Sequence, residues 1–204
     1  MANNPRLIEA CKKWDRLTEL FHKLKLYDHN DYEPLFCTIR DNKAEVVVGS
    51  SPGHKTHIDL DNKTLEYYDT DAEVNASMRK HLEDAGLSCN VMTGEGKRAL
   101  GVTCTGVNES NVEEVFRKLA AATSMDIRAG MFEARWNPAT EKIWGEKPTD
   151  VVNEVCQELR NEIDEINDTC LSLTGGKCFD HAFDYCLTKK IMEREEELWK
   201  RLEK

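Results

Sequence analysis

The sequence lacks any long apolar run, and this absence excludes a helix that could cross a lipid bilayer. Its first residues, MANNPRLIEACKKWD, also lack the apolar core of a signal peptide. With only 11 Gly and 5 Pro in 204 residues, the composition is that of a well-ordered globular protein. We therefore expect a cytoplasmic protein that does not associate with a membrane.

Positive charge is also scarce, because 28 Lys and Arg stand against 38 Asp and Glu, for a formal net charge of −10. Proteins that bind nucleic acid need clustered Lys and Arg to displace the counterions of the phosphate backbone. This acidic balance argues against general nucleic-acid binding. The length allows one sizeable core, or a compact domain with a helical extension.

The first third of the chain predicts a helix followed by a β-meander. Apolar residues recur every three or four positions over 5–26, which is typical of an amphipathic helix. Four short runs rich in β-branched and aromatic residues follow within 34–68. The tripeptide Asp-Asn-Lys separates the first two runs at 41–43 and the last two at 61–63. Since Asp and Asn tolerate left-handed backbone, we predict tight hairpin turns at both places.

The elements after the meander are a helix, a hairpin and another helix. Each helix starts at a capping-box pattern, in which a Ser or Thr and a Glu three residues later bond each other's free N–H groups. The two boxes are Thr70 with Glu73 and Ser110 with Glu113. The predicted bounds are 71–85 for the first helix, 88–105 for the hairpin and 111–134 for the second helix.

A change of pattern at 137–149 predicts a linker, because this segment contains two prolines and a glycine and has no periodicity. Beyond it, apolar residues alternate spacings of four and three, which is the seam of a heptad repeat. The seam residues are Val152, Cys156, Leu159, Ile163, Ile166, Cys170 and Leu173. Gly175 and Gly176 end this helix, and a second helical pattern follows them to the C-terminal end, so that 150–204 is predicted to be a helical hairpin resembling a coiled coil.

These elements together predict an α+β fold. We expect an antiparallel sheet of about six strands with helices on one face, preceded by the N-terminal helix and followed by the C-terminal helical hairpin. The predicted α+β domain spans 1–136. The order of the strands in the sheet is left open.

The stretch NVMTGEGKRALGVTCTG, residues 90–106, is the first candidate for chemistry because it resembles a phosphate-binding loop. A P-loop, however, requires an earlier glycine where Val91 stands, a Ser or Thr where Arg98 stands, and a helix afterwards. We therefore interpret it as a hairpin turn with a basic tip. The alternative is that Gly94 and Gly96 let main-chain amides form an anion-binding nest.

The segment PGHKTHID is the second candidate, since histidine can be a base, a metal ligand or a pH sensor. His54 and His57 fall on opposite faces of an extended strand, whereas His57 and Asp59 share one. We favour a solvent-facing strand over a metal site. The alternative is a pocket for an anionic ligand between the turns 50–57 and 94–98, with the residues His54, Lys55, His57, Gly94, Gly96, Lys97 and Arg98.

Eight cysteines are scattered through apparently regular segments, and we interpret most of them as small buried hydrophobic residues. A metal site from Cys170, Cys178, His181 and Cys186 lacks the paired spacing of zinc knuckles. We predict no metal and no cofactor. The four tryptophans are interpreted mainly as packing residues, with Trp144 and Trp199 as alternative anchors for a partner.

No nucleophile has a recognisable base beside it, so the sequence favours a non-enzymatic role. The first hypothesis is a cytosolic adaptor or regulator that forms homo-oligomers or binds another protein through the helices at 150–204. The second hypothesis is a binder or hydrolase of a small nucleotide-like or phosphorylated ligand at the two basic turns. The heptad seam supports the first and the basic turns support the second.

Overall fold

The structure is a computed structural model, and it describes residues 2–24, 37–47, 55–123, 154 and 189–203. The helices and strands in these residues are α1 Pro5–Lys23, β1 Cys37–Arg40, β2 Lys43–Val47, β3 Lys55–Asp59, β4 Thr64–Tyr68, α2 Ala72–Asp84, β5 Ser88–Thr93, β6 Ala99–Thr105, α3 Val112–Thr123 and α4 Glu195–Leu202.

The chain divides into two compact units. The described residues of the first unit are 2–16, 37–47 and 55–123, and those of the second are 17–24, 154 and 189–203. The predicted linker at 137–149 and the seven residues of the predicted heptad seam lie outside the described residues.

The first unit is built on a six-stranded antiparallel sheet in the order β1-β2-β3-β4-β6-β5. This confirms the predicted α+β fold with about six strands. The order departs from the sequence at one place, because α2 carries the chain from β4 to the outer position and β6 returns between β4 and β5. Local sequence patterns do not encode that crossover.

The two Asp-Asn-Lys tripeptides form different turns. Asp41 and Asn42 have φ of 51° and 58° and connect the paired residues Arg40 and Lys43, which is the backbone of a two-residue hairpin turn. In the second tripeptide only Lys63 has positive φ, at 57°, and the loop is longer because Asp59 pairs with Thr64. The Asp59 carboxylate accepts the N–H of Asn62 at 3.0 Å and stabilises this wider loop.

The two faces of the sheet differ in exposure. Cross-strand register places Ala44, Ile58, Leu65 and Cys104 in one row, and each of these residues is at most 2% exposed. Helix α2 packs over β5 and β6 and against α3. Burial of this apolar face against the helices is the main driving force for the fold.

The part of α1 that belongs to the first unit, up to Arg16, contacts both α3 and β1. The Trp14 ring meets the Phe116 ring of α3 edge to face, with 6.0 Å between the centroids. A disulfide joins Cys11 to Cys37 at the start of β1, and the Asp15 carboxylate accepts the Cys37 N–H at 2.7 Å. Partial burial raises the pKa of Asp15, and the hydrogen bond from Cys37 opposes that shift.

The predicted capping boxes are each displaced by one residue. The N-cap of α2 is Asp71, whose side chain accepts the N–H groups of Glu73 at 2.8 Å and Val74 at 3.2 Å. Helix α3 begins at Val112, so that Asn111 rather than Ser110 precedes it. Asp71 takes the place of Thr70 because Asp accepts N-terminal N–H groups at least as well as Thr. Before α3, the Asn111 side chain instead accepts the Asn108 N–H at 2.9 Å, and the Asn108 side chain accepts the N–H groups of Ser110 and Asn111.

The cysteines also differ from the prediction. Cys11, Cys89 and Cys104 are buried as expected, at 4%, 4% and 1% exposure, but two disulfides join Cys11 to Cys37 and Cys89 to Cys104. The second pair lies opposite across β5 and β6. The sequence did contain a signal for this pair, because Cys89 and Cys104 each lie one residue inside the ends of the predicted hairpin at 88–105. Since disulfides persist mainly in oxidising compartments, these two bonds do not favour the expected cytoplasmic location.

In the second unit, Leu198 and Trp199 of α4 are buried at 0% and 9% exposure. The Lys23 ammonium lies 6.0 Å from the centroid of the Trp199 ring, at the outer limit of a cation–π contact. Because Trp199 is buried, it does not serve as an exposed partner anchor. Among the described helices, none is long and apolar enough to span a membrane.

Candidate functional site

The most distinctive surface of the first unit is the sheet face opposite the apolar one, which we call the polar face and define by the outward side chains of β1 to β4. Register aligns Thr38, Glu45, His57 and Glu66 in one row across these strands. The polar face contains a concavity of about 660 Å³. Its charged or titratable lining residues are Arg40, Asp41, Lys43, Glu45, His57, Asp59 and Glu66.

Glu45 is the centre of a group of charges on β2 and β3. One oxygen of its carboxylate lies 3.2 Å from the Lys55 ammonium, and the other lies 3.8 Å from Nδ1 of His57. The Glu45 and Lys55 side chains are each 41% exposed and His57 is 46% exposed. These contacts therefore orient the side chains more than they stabilise the fold, since exposed ion pairs contribute little free energy.

A second group lies one row further along the strands. The Lys43 ammonium is 3.5 Å from the Asp59 carboxylate, which also accepts the backbone and side-chain N–H groups of Asn62. The backbone hydrogen bond from Asn62, with a smaller contribution from Lys43, lowers the pKa of Asp59. Asp59 is therefore a permanent negative charge near neutral pH.

Tyr68 organises the other end of the row. Its hydroxyl donates to Glu66 at 2.6 Å, and this hydrogen bond raises the pKa of Tyr68. The ring meets His57 edge to face, with 5.9 Å between the centroids. Tyr68 is 38% exposed, one of two large hydrophobic residues exposed to that degree among the described residues. It gives an otherwise charged surface one aromatic contact.

The arrangement of the row does not suit a metal ion. Among the residues described, no group of three or more His, Cys, Asp and Glu side chains could hold one. His57 and Asp59 share a face, as predicted. The Asp59 carboxylate, however, contacts Lys43 and Asn62 and does not join His57 in a metal site. His54 lies outside the described residues.

The glycine-rich turn has the hairpin structure expected from the sequence. It contains a 3₁₀ turn at Glu95–Lys97, and strand β6 follows it instead of the helix that a P-loop requires. Gly96 and Lys97 have φ of 65° and 62°. The Gly94 N–H donates to the Arg98 carbonyl at 2.8 Å, so this amide closes the turn and is not directed at a nest for an anion.

The start of β3 and the β5–β6 turn share one end of the sheet, whereas residues 50–54 lie outside the described residues. Thr56, Tyr67 and Val102 are level across β3, β4 and β6, so the start of β3 and the β5–β6 turn lie at the same end. Since β4 lies between β3 and β6, the two are ~10 Å apart. Lys97 and Arg98 are exposed, but Lys55 pairs with Glu45. An anionic-ligand pocket here stays a prediction.

No family model, curated protein or solved structure matches the chain. The class of protein must therefore be argued from the fold and the site. These define an α+β domain whose sheet is apolar on the helix side and charged on the other.

From this surface the sequence pointed to Lys55 and His57 as ligand-binding residues and to Asp59 as sharing a face with His57. The residues that it did not point to as part of a site are Arg40, Asp41, Lys43, Glu45, Glu66 and Tyr68. The sequence signal for these residues was the alternation of side chains between the two faces of each strand. A residue two positions from His57 lies on the same face as His57, and so do the cross-strand partners of His57. Polar outward positions are the normal state of a half-buried sheet, so that alternation alone did not distinguish a site.

Proposed function

We propose that this chain is a non-enzymatic interaction protein that binds a partner protein on the polar face, and that the partner presents a basic segment. The observation that carries the proposal is the charge of the concavity. Four carboxylates line it, from Asp41, Glu45, Asp59 and Glu66, against two permanent cations from Arg40 and Lys43. A basic segment complements this lining.

The polar face fits a polypeptide better than a small molecule. Small ligands are usually enclosed in largely apolar pockets that bury most of their surface. Here the bordering side chains are open to solvent, with Arg40 93%, Lys43 63% and His57 46% exposed. Interfaces between proteins tolerate such polar, hydrated surroundings around a few central contacts.

The net charge of the whole chain also favours a basic partner. A formal net charge of −10 attracts basic partners over a longer range than any single contact. Beside the concavity, Tyr68 places an exposed ring against two of its lining residues, His57 and Glu66. A lysine or arginine of the partner that reaches Glu66 would therefore also meet an aromatic ring.

The predicted role of the helices at 150–204 is a separate proposal of the same class. The heptad residues of those helices lie outside the described residues, whereas the contacts of the polar face are described. The two proposals are separable because they place the partner on different residues.

The test compares proteins captured by the full chain with those captured by two charge-reversal variants. Glu45→Lys with Glu66→Lys changes the polar face, and Glu9→Lys with Glu109→Lys makes the same change of charge at exposed positions elsewhere. We expect quantitative mass spectrometry to show partners that bind the full chain and the control but not the polar-face variant.

Two results would contradict the proposal. The first is an equal loss of partners from both variants, which would indicate that only net charge matters. The second is an unchanged partner set for the polar-face variant, provided that its thermal unfolding matches that of the control. Purified partners that pass this comparison should be enriched in exposed Lys and Arg.

A further inference from the structure

The two edges of the sheet differ in how their backbone groups are used. At the β1 edge, the Asp15 carboxylate accepts the Cys37 N–H, and the disulfide to Cys11 holds α1 beside the strand. At the β5 edge, within the described part of the chain, the strand pairs with β6 and with no strand on its other side. One edge is thus capped, and the other has no neighbouring strand among the described residues.

Strand β5 also lacks the features that usually protect an edge. Its sequence, SCNVMT, runs for six residues without a charge or a proline. Edge strands in natural proteins are normally short or carry Lys, Pro or an inward charge, because a free row of N–H and C=O groups recruits another strand. Strand β1, with four residues and a terminal Arg40, is the ordinary kind of edge.

Pairing with β6 shows which backbone groups of β5 point outward. The Cα atoms of Cys89 and Cys104 are 4.1 Å apart. Opposed residues in an antiparallel pair are ~4.5 Å apart where they do not exchange hydrogen bonds and ~5.5 Å apart where they do. Cys89, and by alternation Val91, therefore direct their N–H and C=O groups away from β6, whereas Asn90 exchanges hydrogen bonds with Thr103.

We propose that a second copy of this chain pairs with this edge, β5 against β5 in antiparallel orientation, with Asn90 of each copy facing the other on the twofold axis. This register keeps the apolar faces of both sheets on one side, because opposed residues must share a face. Cys89 of each copy then exchanges backbone hydrogen bonds with Val91 of the other. The exposed Asn90 amides meet across the axis and bond each other.

Charge complementarity favours a second copy over an unrelated strand. Antiparallel pairing places the β5–β6 turn of one copy beside the residues that precede β5 in the other. The turn carries the exposed side chains of Lys97 and Arg98 against one exposed carboxylate, Glu95, so it is positively charged, and the end of α2 carries the exposed Asp84. The strand itself is uncharged, so two chains that are each strongly acidic can meet there without opposing like charges.

The test measures self-association of the full chain by sedimentation equilibrium over a range of concentrations. The full chain should pass from monomer to dimer. Asn90→Lys alone and Asn90→Asp alone should each weaken the dimer about tenfold or more, since like charges would then face each other. An equimolar mixture of the two variants should restore association, because Lys and Asp then meet on the axis.

A variant that removes a backbone N–H of β5 gives a second test of the same interface. Val91→Pro removes an outward N–H and no hydrogen bond to β6, a change that an edge strand tolerates. It should abolish the dimer with little change in the circular dichroism spectrum. A chain that is monomeric at every concentration would overturn the proposal. So would a dimer that Val91→Pro and Asn90→Lys both leave unchanged, which would place the interface on other residues such as the C-terminal helices.

Discussion

Gly101 of β6 lies so close to Tyr67 of β4 that a Cβ on residue 101 would be 1.9 Å from the Tyr67 carbonyl oxygen. Its φ of 149° is also in the region that favours glycine. The contact lies where β4 joins β6, beside the register shift between Met92 and Thr93. One glycine thus lets the β5–β6 hairpin dock against the meander.

Gly101→Ala should therefore strongly destabilise the protein. The new methyl group would force β4 and β6 apart, and we expect the free energy of unfolding to fall by about 3 kcal/mol or more. Gly96→Ala is the matched control, because Gly96 also has positive φ but nothing within 4 Å of a built Cβ. It should cost only about 1 kcal/mol. Equal losses in urea unfolding would contradict the role of the close contact.

The start of α2 gives a second prediction. Asp71 accepts two N-terminal N–H groups of the helix, so Asp71→Ala should lower the free energy of unfolding by about 1 kcal/mol. Thr70→Ala, at the neighbouring exposed position, should change it by less than about half that amount. Denaturant titration of both variants checks the order. A larger loss of stability for Thr70→Ala than for Asp71→Ala would instead support the capping box of Thr70 with Glu73 that the sequence predicts.

His81 predicts a dependence of stability on pH. It is 2% exposed, its Nδ1 lies 2.7 Å from the Ser77 carbonyl oxygen, and burial lowers its pKa. Lys118, on the packed helix α3, and Lys80 also lower the pKa, while Ser77 and Asp84 raise it. The unfolded chain takes up a proton near pH 6.5 that the folded chain does not, so stability is lost as the pH falls below about 6.5.

The contribution of His81 can be isolated by comparing variants. His81→Gln should reduce the slope of the free energy of unfolding between about pH 5 and 7. Thr70→Gln, at an exposed position without a titrating side chain, should leave the slope as it is. Identical slopes for the full chain and His81→Gln would show that His81 is not the titrating group.

The two disulfides predict a response to reduction. Opening them removes the covalent links between α1 and β1 and between β5 and β6. The free energy of unfolding should fall by about 2–4 kcal/mol for each bond. Cys11→Ser with Cys37→Ser should remove part of the response to reductant. Alkylation of the purified, unreduced protein at Cys89 and Cys104 would contradict the second bond.

Periodicity accounts for the parts of the fold that the sequence predicted. Strands β4, β5 and β6 have the bounds expected, because each is a run with turn residues on both sides. The position of β6 beside β4 was not predictable, since it depends on packing between segments far apart in sequence, including the approach of Gly101 to Tyr67. Local patterns do not contain that information.

The candidate site was harder to predict than the fold for a related reason. His57 stood out as a histidine, but Glu45 and Glu66 resemble the solvated positions of any half-buried strand. Only the register that places these three side chains in one row distinguishes them. The basic turn was recognised as a hairpin because its departures from the P-loop pattern are explicit in the sequence.

Amide chemical-shift mapping with a short peptide of alternating Lys and Ser tests the central claim most directly. We predict that the largest shifts occur at Thr38, Glu45, His57 and Glu66, and that they disappear in Glu45→Lys with Glu66→Lys. A peptide of alternating Glu and Ser should leave these signals unchanged. Shifts confined to the helices, or none with the basic peptide, would contradict a partner site on the polar face.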